Sequence, residues 1–89
     1  MENNRFLLIL RQYVIDEILE GHDVGLEYST PLLELGILNS IEITRLLRFM
    51  DDTFGVSIPP EKITPQNFHD LNRIHATVVS LNQSGSFIS

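Results

Sequence analysis

An all-α fold is predicted by the sequence, on three observations. Apolar residues recur at helical spacing in three separate segments, residues typical of helix starts and stops bound these segments, and strand-type alternation never persists for four residues. We therefore expect three main helices with additional short ones and a long first loop. A chain of 89 residues can bury one core, so we predict a single domain over residues 1–82 and a frayed tail over 83–89.

The first helix is predicted over residues 4–20, ending at Gly21. Its apolar side chains follow the i, i+3, i+4, i+7 spacing of an amphipathic helix, and they are Phe6, Leu7, Leu10, Tyr13, Val14 and Ile18. Residues 21–30 mix Gly, Asp and Ser without a period and are predicted to form a loop. Thr30 followed by Pro31 is typical of a capped helix start, but Gly36 stops the segment, so one helical turn is expected over 31–35.

The second helix is predicted to begin at Ser40. Asn39 and Glu42 fit a capping box, in which Asn39 accepts from the backbone at Glu42 and the Glu42 side chain reaches back to Asn39. Gly55 supplies a left-handed exit. The predicted buried stripe consists of Ile43, Leu46, Leu47, Met50 and Phe54. The predicted exposed side carries Ile41, Thr44, Arg45 and Arg48.

The remaining chain is predicted to hold an extended loop and two more helices. Residues 56–63 contain two prolines and should stay extended, with Val56 and Ile58 against the core. Thr64 and Pro65 repeat the cap-then-proline pattern, which predicts a short third helix through about His69. Asp70 can cap the last helix, whose apolar positions are Leu71, Ile74, Val78 and Leu81.

Composition excludes several functions. The net charge is −6, and an acidic protein with a pI near 4.8 should repel nucleic-acid phosphate. The absence of cysteine removes disulfides, thiolate metal sites and cysteine nucleophiles. The N-terminal segment resembles neither a signal peptide nor a membrane span, so we expect a cytoplasmic protein that does not enter a membrane.

The sequence offers no recognisable catalytic or metal site. His69 and His75 are six residues apart and are expected to face differently, and no H-x-x-x-H or H-E-x-x-H pair occurs. A Ser-His-Asp set in a recognisable context and a Gly-rich phosphate loop are also missing. We therefore do not expect an enzyme.

Ser40 is the residue with a position suited to chemistry. Serine near a helix start ordinarily serves as a cap, but Asn39 already occupies the cap, so Ser40 falls on the first helical residue with its hydroxyl toward solvent. A phosphodiester there would lie at the positive end of the helix dipole, beside unpaired N–H groups, which favours an anion by about 0.3–1 kcal/mol. Two interpretations follow, a structural serine or an attachment point.

The segment "LLELGILNSIEITRLLRFMDDTFGVSIP" closely resembles the second-helix region of acyl and peptidyl carrier proteins. Their pattern is an apolar-Gly-apolar run, then Asp-Ser-Leu or Asp-Ser-Met, then a helix ending in Phe-Gly and an Ile-Pro loop. The matching register includes Gly36, Ser40, Phe54, Gly55 and Pro59. The resemblance implies a small right-handed four-helix-type carrier-protein bundle. It also implies that a phosphopantetheinyl transferase attaches 4′-phosphopantetheine from coenzyme A to Ser40, which would provide the missing thiol.

Two departures from the family pattern concern the partners. Asn39 stands where the family usually has Asp, which removes a charge that could help the transferase. Arg45 and Arg48 lie on the helix face where fatty-acid carriers are strongly acidic, which argues against fatty-acid synthase partners. The segments "TPLLELGILNS" and "GVSIPPEKITPQNFHDLNRI" are similar to the stand-alone prolyl carrier proteins that supply pyrrole-2-carboxyl units to natural products. The D-alanyl carriers of teichoic acid synthesis are the nearest alternative.

The resemblance to prolyl carriers implies a sequence of partner enzymes. An adenylating ligase would load L-proline on the thiol, a flavin-dependent dehydrogenase would oxidise the ring to pyrrole, and a halogenase, synthase or transferase would follow. A thioester acidifies the α-proton, and the tether raises the effective concentration of the group. The carrier itself would catalyse nothing and would be a monomer. A competing class is an unmodified helical interaction module, for which Ser40→Ala would leave function unchanged.

Partners are expected to contact the surface around Ser40. The predicted interface consists of Ile37, Leu38, Ile41, Thr44, Arg45, Arg48 and Ile63, and the alternative for Ile37 and Leu38 is packing in the core. Exposed apolar residues there would suit weak, reversible docking. For Leu46, Met50 and Phe54, simple core packing is favoured over a chamber for an attached acyl chain, because a prolyl group has no chain to bury.

Overall fold

The computed structural model describes residues 2–22 and 25–83, with side chains for 5–22 and 25–81. Helix α1 spans Glu2–Tyr13, α2 spans Ser40–Phe54 and α3 spans Leu71–Gln83. A π-helical segment follows α1 at Val14–Ile18, and a short 3₁₀ turn lies at Pro60–Lys62. No strand occurs within these described ranges. The all-α prediction is therefore confirmed. Of the tail predicted over 83–89, Gln83 instead belongs to α3, and the rest lies outside the described residues.

The three helices enclose one core. Helix α1 packs against α3, and two aromatic pairs join α1 to α2: the ring centroids of Phe6 and Phe54 are 4.6 Å apart, and those of Tyr13 and Phe49 are 4.1 Å apart. The largest fully buried side chains come from all three helices and from both long connections; they are Leu10, Val14, Leu32, Leu46, Met50, Phe68, Leu71 and Ile74. None of the described helices is long and apolar enough to span a bilayer.

The first helix differs from its prediction in its last turn. Instead of one regular helix over 4–20, α1 ends at Tyr13 and the chain widens into the π-helical segment, where Leu19 N–H donates to Val14 O at 2.9 Å. This wider turn lets the adjacent residues Val14 and Ile15 both face the core. The helical segment ends at Ile18, two residues before the predicted end, with Leu19 as its cap, and Gly21 follows in the turn with a φ of 85°.

The long first loop is fastened to the helices by backbone hydrogen bonds. Leu32 N–H donates to His69 O at 2.8 Å, and the predicted turn over 31–35 closes with a bond from Leu35 N–H to Pro31 O at 3.1 Å. Thr30 does not cap this turn, because its hydroxyl instead accepts from Glu27 N–H at 2.8 Å. The prediction that Thr30 caps the turn after it was therefore wrong, since its hydroxyl bonds within the turn before it.

The predicted third helix is reduced to one turn. Thr64 accepts from Asn67 N–H through its hydroxyl at 3.2 Å and from Phe68 N–H through its carbonyl at 3.1 Å. The turn places the Phe68 ring in the core, fully buried. Asp70 then caps α3 as predicted, with its carboxylate accepting from Arg73 N–H at 2.7 Å. Val56 is buried and Ile58 half-buried, as predicted for the preceding loop.

Candidate functional site

The start of α2 is built by Asn39. Its backbone is extended, with φ −134° and ψ −173°, and its side-chain oxygen accepts from Glu42 N–H at 2.9 Å. The predicted cap is therefore confirmed. The return bond of the capping box does not form among the described residues, because the Glu42 carboxylate instead accepts from the Arg45 guanidinium at 3.0 Å. At the other end, Gly55 adopts the predicted left-handed conformation, with a φ of 69°.

Ser40 is the first residue of α2 and its side chain is exposed. Its hydroxyl has no capping role, because Asn39 already holds the bond to the first turn. Within the described chain, the backbone N–H groups of Ser40 and Ile41 have no protein acceptor. Such N–H groups at a helix start, together with the helix dipole, favour an anion. The position therefore fits a phosphodiester on the hydroxyl of Ser40, both electrostatically and sterically.

An open groove of about 380 Å³ begins at Ser40 and runs between α2 and the chain over residues 63–65. Its lining is mainly half-buried apolar side chains, with two threonine hydroxyls; besides Ser40, the lining residues are Leu33, Ile43, Thr44, Leu47, Ile63, Thr64 and Pro65. The groove leaves space on one side of the Ser40 hydroxyl. Ile43 and Leu47, which were predicted to lie in the buried stripe of α2, therefore line this groove and also pack against the core.

The residues predicted to form a partner interface around Ser40 are only partly at the surface. Ile41 is 71% exposed, and Thr44, Arg45 and Arg48 are also exposed. Ile63 is half-buried and lines the groove. Ile37 is half-buried and packs against the core. The predicted exposed side of α2 is thus confirmed.

Leu38 was wrongly predicted to be at this surface. It is only 2% exposed, because its N–H and that of Ile37 both turn back to Leu32 O, at 3.1 and 2.9 Å. Leu35 takes its place outside and is 62% exposed. Gly36, with a φ of 75°, reverses the chain directly after Leu35. The sequence signal that could have identified Leu35 is therefore this glycine, which separates the outward residue from the inward ones.

The two arginines of α2 have different surroundings. Arg45 pairs with Glu42 at 3.0 Å and with Glu17 of the π-helical segment at 3.8 Å. It also lies beside Tyr13, whose pKa is raised chiefly by burial, with Glu17 and Glu42 adding to the rise and Arg45 opposing it. Within the described residues, Arg48 has no hydrogen-bond or ion-pair partner. Arg48 is therefore the arginine that a partner can engage without breaking an internal contact.

The remaining residues considered for chemistry have structural positions. Leu46 and Met50 are fully buried, and half-buried Phe54 packs on Phe6, in agreement with core packing. His69 supplies its backbone carbonyl to Leu32, whereas the ring of His75 lies 5.4 Å from that of Phe6. Over the part of the chain that the structure describes, no three His, Cys, Asp or Glu side chains form a group that could hold a metal ion.

Comparisons with known proteins agree with this geometry. A family model described as "Phosphopantetheine attachment site" matches residues 10–74, a span that includes α2 and the groove. The "Probable acyl carrier protein PigG" of Serratia sp. (strain ATCC 39006) is 35% identical over 72 residues, covering 81% of this chain and 83% of that protein. A chain in a solved structure described as "Crystal structure of FAD-dependent dehydrogenase" is 36% identical, with a TM-score of 0.73, over 78% of this chain and 97% of that one.

Proposed function

The chain belongs to the family of carrier proteins with a phosphopantetheine attachment site, and we propose that Ser40 is the residue that bears the 4′-phosphopantetheine. The observation that carries this proposal is the exposed hydroxyl of Ser40 on the first residue of α2. This hydroxyl does not cap the helix, because Asn39 does. The prosthetic group, when bound, supplies the thiol that this cysteine-free chain lacks and holds an acyl group as a thioester. The chain's own contribution is to expose the serine and to stabilise its phosphate through the helix start.

We further propose that the acyl group is L-prolyl and that it is oxidised to pyrrole-2-carboxyl for natural-product biosynthesis. Two observations support this. The segments on both sides of α2 resemble prolyl carriers, and a chain of similar fold occurs in a structure described by the name of a flavin enzyme. The match spans 97% of that chain but only 78% of this one. That chain is therefore shorter than this one and has the size of a carrier protein.

The proposed partners are enzymes that take turns at one surface. They are the phosphopantetheinyl transferase, an adenylating ligase for L-proline, a flavin-dependent dehydrogenase, and a downstream halogenase, synthase or transferase. The dehydrogenase would remove four hydrogens from the ring in two two-electron steps, and its flavin would be reoxidised after each step by an external electron acceptor such as O₂. The protein would act in the cytoplasm as a monomer and would catalyse no step itself. Leu35 and Ile41 offer apolar contacts on either side of Ser40, Thr44 and Arg48 offer polar ones on the same helix, and Ile63 borders the groove. Such small apolar surfaces suit weak, reversible docking.

Intact-protein mass tests the attachment residue. Wild type, Ser40→Ala and Ser57→Ala are incubated with coenzyme A and a broad-specificity transferase; Ser57 is the matched control, because it is also exposed but lies outside the groove. We expect wild type and Ser57→Ala to gain one phosphopantetheine and Ser40→Ala to gain none. A gain in Ser40→Ala would refute the assignment. If wild type and Asn39→Asp both remained unmodified beside a working control carrier, the unmodified interaction module would be favoured instead.

Loading of the modified protein tests the acyl group. The protein is incubated with ATP, an L-proline-adenylating ligase and either L-proline or D-alanine, and a D-alanine ligase provides the reciprocal arm. We expect a prolyl adduct, which a flavin dehydrogenase in the presence of O₂ as electron acceptor converts to the pyrrole with the loss of four hydrogens. Efficient loading by the D-alanine ligase alone would favour the D-alanyl alternative.

Arg48→Glu should slow prolyl loading about twofold to fivefold relative to Arg5→Glu, because it reverses an unpaired charge at the proposed interface.

A further inference from the structure

A second groove borders the same chain segment as the Ser40 groove, one residue earlier along the chain. Its volume is about 270 Å³, and it lies between the 3₁₀ turn and the outer face of α3; it is lined by Lys62, Asn67, Arg73, Ala76, Thr77 and Ser80. The two grooves are separated by a short stretch of backbone, because Ile63 and Thr64 line the first groove and Lys62 lines the second. A protein docked over Ser40 could therefore reach both.

The charge of this groove is opposite to that of the molecule. The protein has twelve acidic and six basic residues, yet two of its six basic residues line this groove and no carboxylate does. Within the described chain, neither the Lys62 ammonium nor the Arg73 guanidinium has a hydrogen-bond or ion-pair partner. Two unpaired cations facing the same concave space create a local attraction for an anion.

The acids nearest in sequence do not neutralise the groove. Glu61 precedes Lys62 but is absent from the lining. The Asp70 carboxylate is nearly buried and accepts from the backbone N–H of Arg73 at 2.7 Å, where it caps α3. It therefore stabilises the helix start and leaves the guanidinium of Arg73 unpaired.

The rest of the lining can complete the recognition of a carboxylate. The Ser80 side chain is exposed and can donate its hydroxyl proton. Asn67 uses one amide hydrogen on Lys62 O, at 2.8 Å, and retains the other. Ala76 is small and lies between Arg73 and Ser80 on the same helix face, so the groove stays open. The groove thus offers a carboxylate two cations and two neutral donors along its lining.

We propose that this groove is a docking site for an aspartate or glutamate side chain of a partner enzyme, which anchors the enzyme on the α3 side while Ser40 is presented from α2. The proposal rests on the proposed function in that it requires partners to dock around Ser40. A partner that carries an acidic residue at the right distance would gain affinity and association rate from the groove, whereas a partner with a basic residue there would be repelled.

The direct test is an NMR titration of ¹⁵N-labelled protein, which needs no partner enzyme. The probe is an acetylated and amidated diglutamate peptide, with the corresponding diglutamine peptide and inorganic phosphate in parallel arms. We expect diglutamate to shift the signals of Lys62, Asn67, Arg73 and Ser80 in wild type and in Arg5→Gln. The double variant Lys62→Gln/Arg73→Gln should lose these shifts. Response to phosphate without response to diglutamate, or equal response to diglutamine, would overturn the proposal.

Kinetics with the phosphopantetheine-bearing protein provide the second readout. For the double variant, the KM for the carrier should rise about threefold to tenfold with the ligase or the dehydrogenase, as expected for the loss of two exposed ion pairs. Added salt should raise the KM of wild type and Arg5→Gln but should hardly change that of the double variant. An unchanged KM with both enzymes would overturn the proposal.

The two proposals fail in different ways. Failure of the wild type to accept a phosphopantetheine or a prolyl group would contradict the proposed function and would leave the peptide titration to decide on the groove.

The double variant uses glutamine because it removes the two charges while keeping side chains of similar polarity at exposed positions. A thermal unfolding midpoint equal to that of wild type checks that the double variant remains folded.

Discussion

Helices α2 and α3 start with the same type of side-chain cap, but the first residue of α2 is exposed and that of α3 is buried. At α2 the Asn39 side chain accepts from Glu42 N–H at 2.9 Å, and at α3 the Asp70 side chain accepts from Arg73 N–H at 2.7 Å, with the same spacing. Yet Asn39 and Ser40 are both exposed, whereas Asp70 is 8% exposed and Leu71 is fully buried. The cap therefore sets the residue at which a helix begins. Whether that first helical residue is buried or exposed then decides whether it packs in the core or can carry an attached group.

The long first loop causes the difference. Near α3 it donates from Leu32 N–H to His69 O at 2.8 Å and accepts from Asn72 N–H at Tyr28 O, at 3.1 Å, so it covers the start of that helix. Near α2 the same loop turns at Gly36 and sends Leu38 into the core. Asn39 and Ser40 then emerge on the surface. One connection thus buries one helix start and exposes the other.

The largest expected effect contrasts the first residues of the two helices. Leu71→Ala should lower the free energy of unfolding by about 2–5 kcal/mol, because it empties a fully buried position. Ser40→Ala should change it by no more than about 0.5 kcal/mol, because the side chain is exposed and does not cap. Urea unfolding of both variants measures the difference. A loss of several kcal/mol in Ser40→Ala would mean that this serine is structural.

A smaller effect is expected when the caps themselves are removed. Asp70→Ala should cost about 1–3 kcal/mol of unfolding free energy, since it leaves a backbone N–H unpaired at a nearly buried helix start. Asn39→Ala should cost about 0.5–1 kcal/mol, because water can replace an exposed cap. Urea unfolding again provides the measurement, with Ser57→Ala as an exposed control. Equal losses at the two positions would show that burial of the cap adds nothing.

Local patterns in the sequence predicted the features that depend on neighbouring residues. Both caps, the limits of α2 and the exit at Gly55 follow from side chains that bond within three or four residues or from a positive φ. The exposed face of α2 follows from helical periodicity. The start of α2 was therefore predictable from neighbouring residues, and helical spacing placed Ser40 after the cap, whereas its exposure also depends on the path of the long loop.

The mistaken predictions involve competing partners. Thr30 could cap the turn after it, but it closes the turn before it. Glu42 could reach Asn39, but Arg45 holds it. The π-helical segment and the burial of Leu38 depend on how the long loop and α1 meet the core. The sequence contains each group but does not rank its possible partners, even where the competing bonds span only three residues.

The smallest effect on stability is expected when the cap of α2 is made identical to that of α3. Asn39→Asp keeps an acceptor for Glu42 N–H and adds a negative charge at a helix start, so the free energy of unfolding should change by no more than about 0.5 kcal/mol. The variant should nevertheless be modified by a broad-specificity transferase about twofold to tenfold faster, because aspartate is the usual residue before the carrier serine and its charge is available to a partner. Initial rates of phosphopantetheine addition at equal protein concentration measure this, with Asp70→Asn as the reciprocal control. Equal rates for wild type and Asn39→Asp would mean that the cap acts on the helix alone, whereas a faster rate without a change in stability would separate recognition of the cap from its structural role.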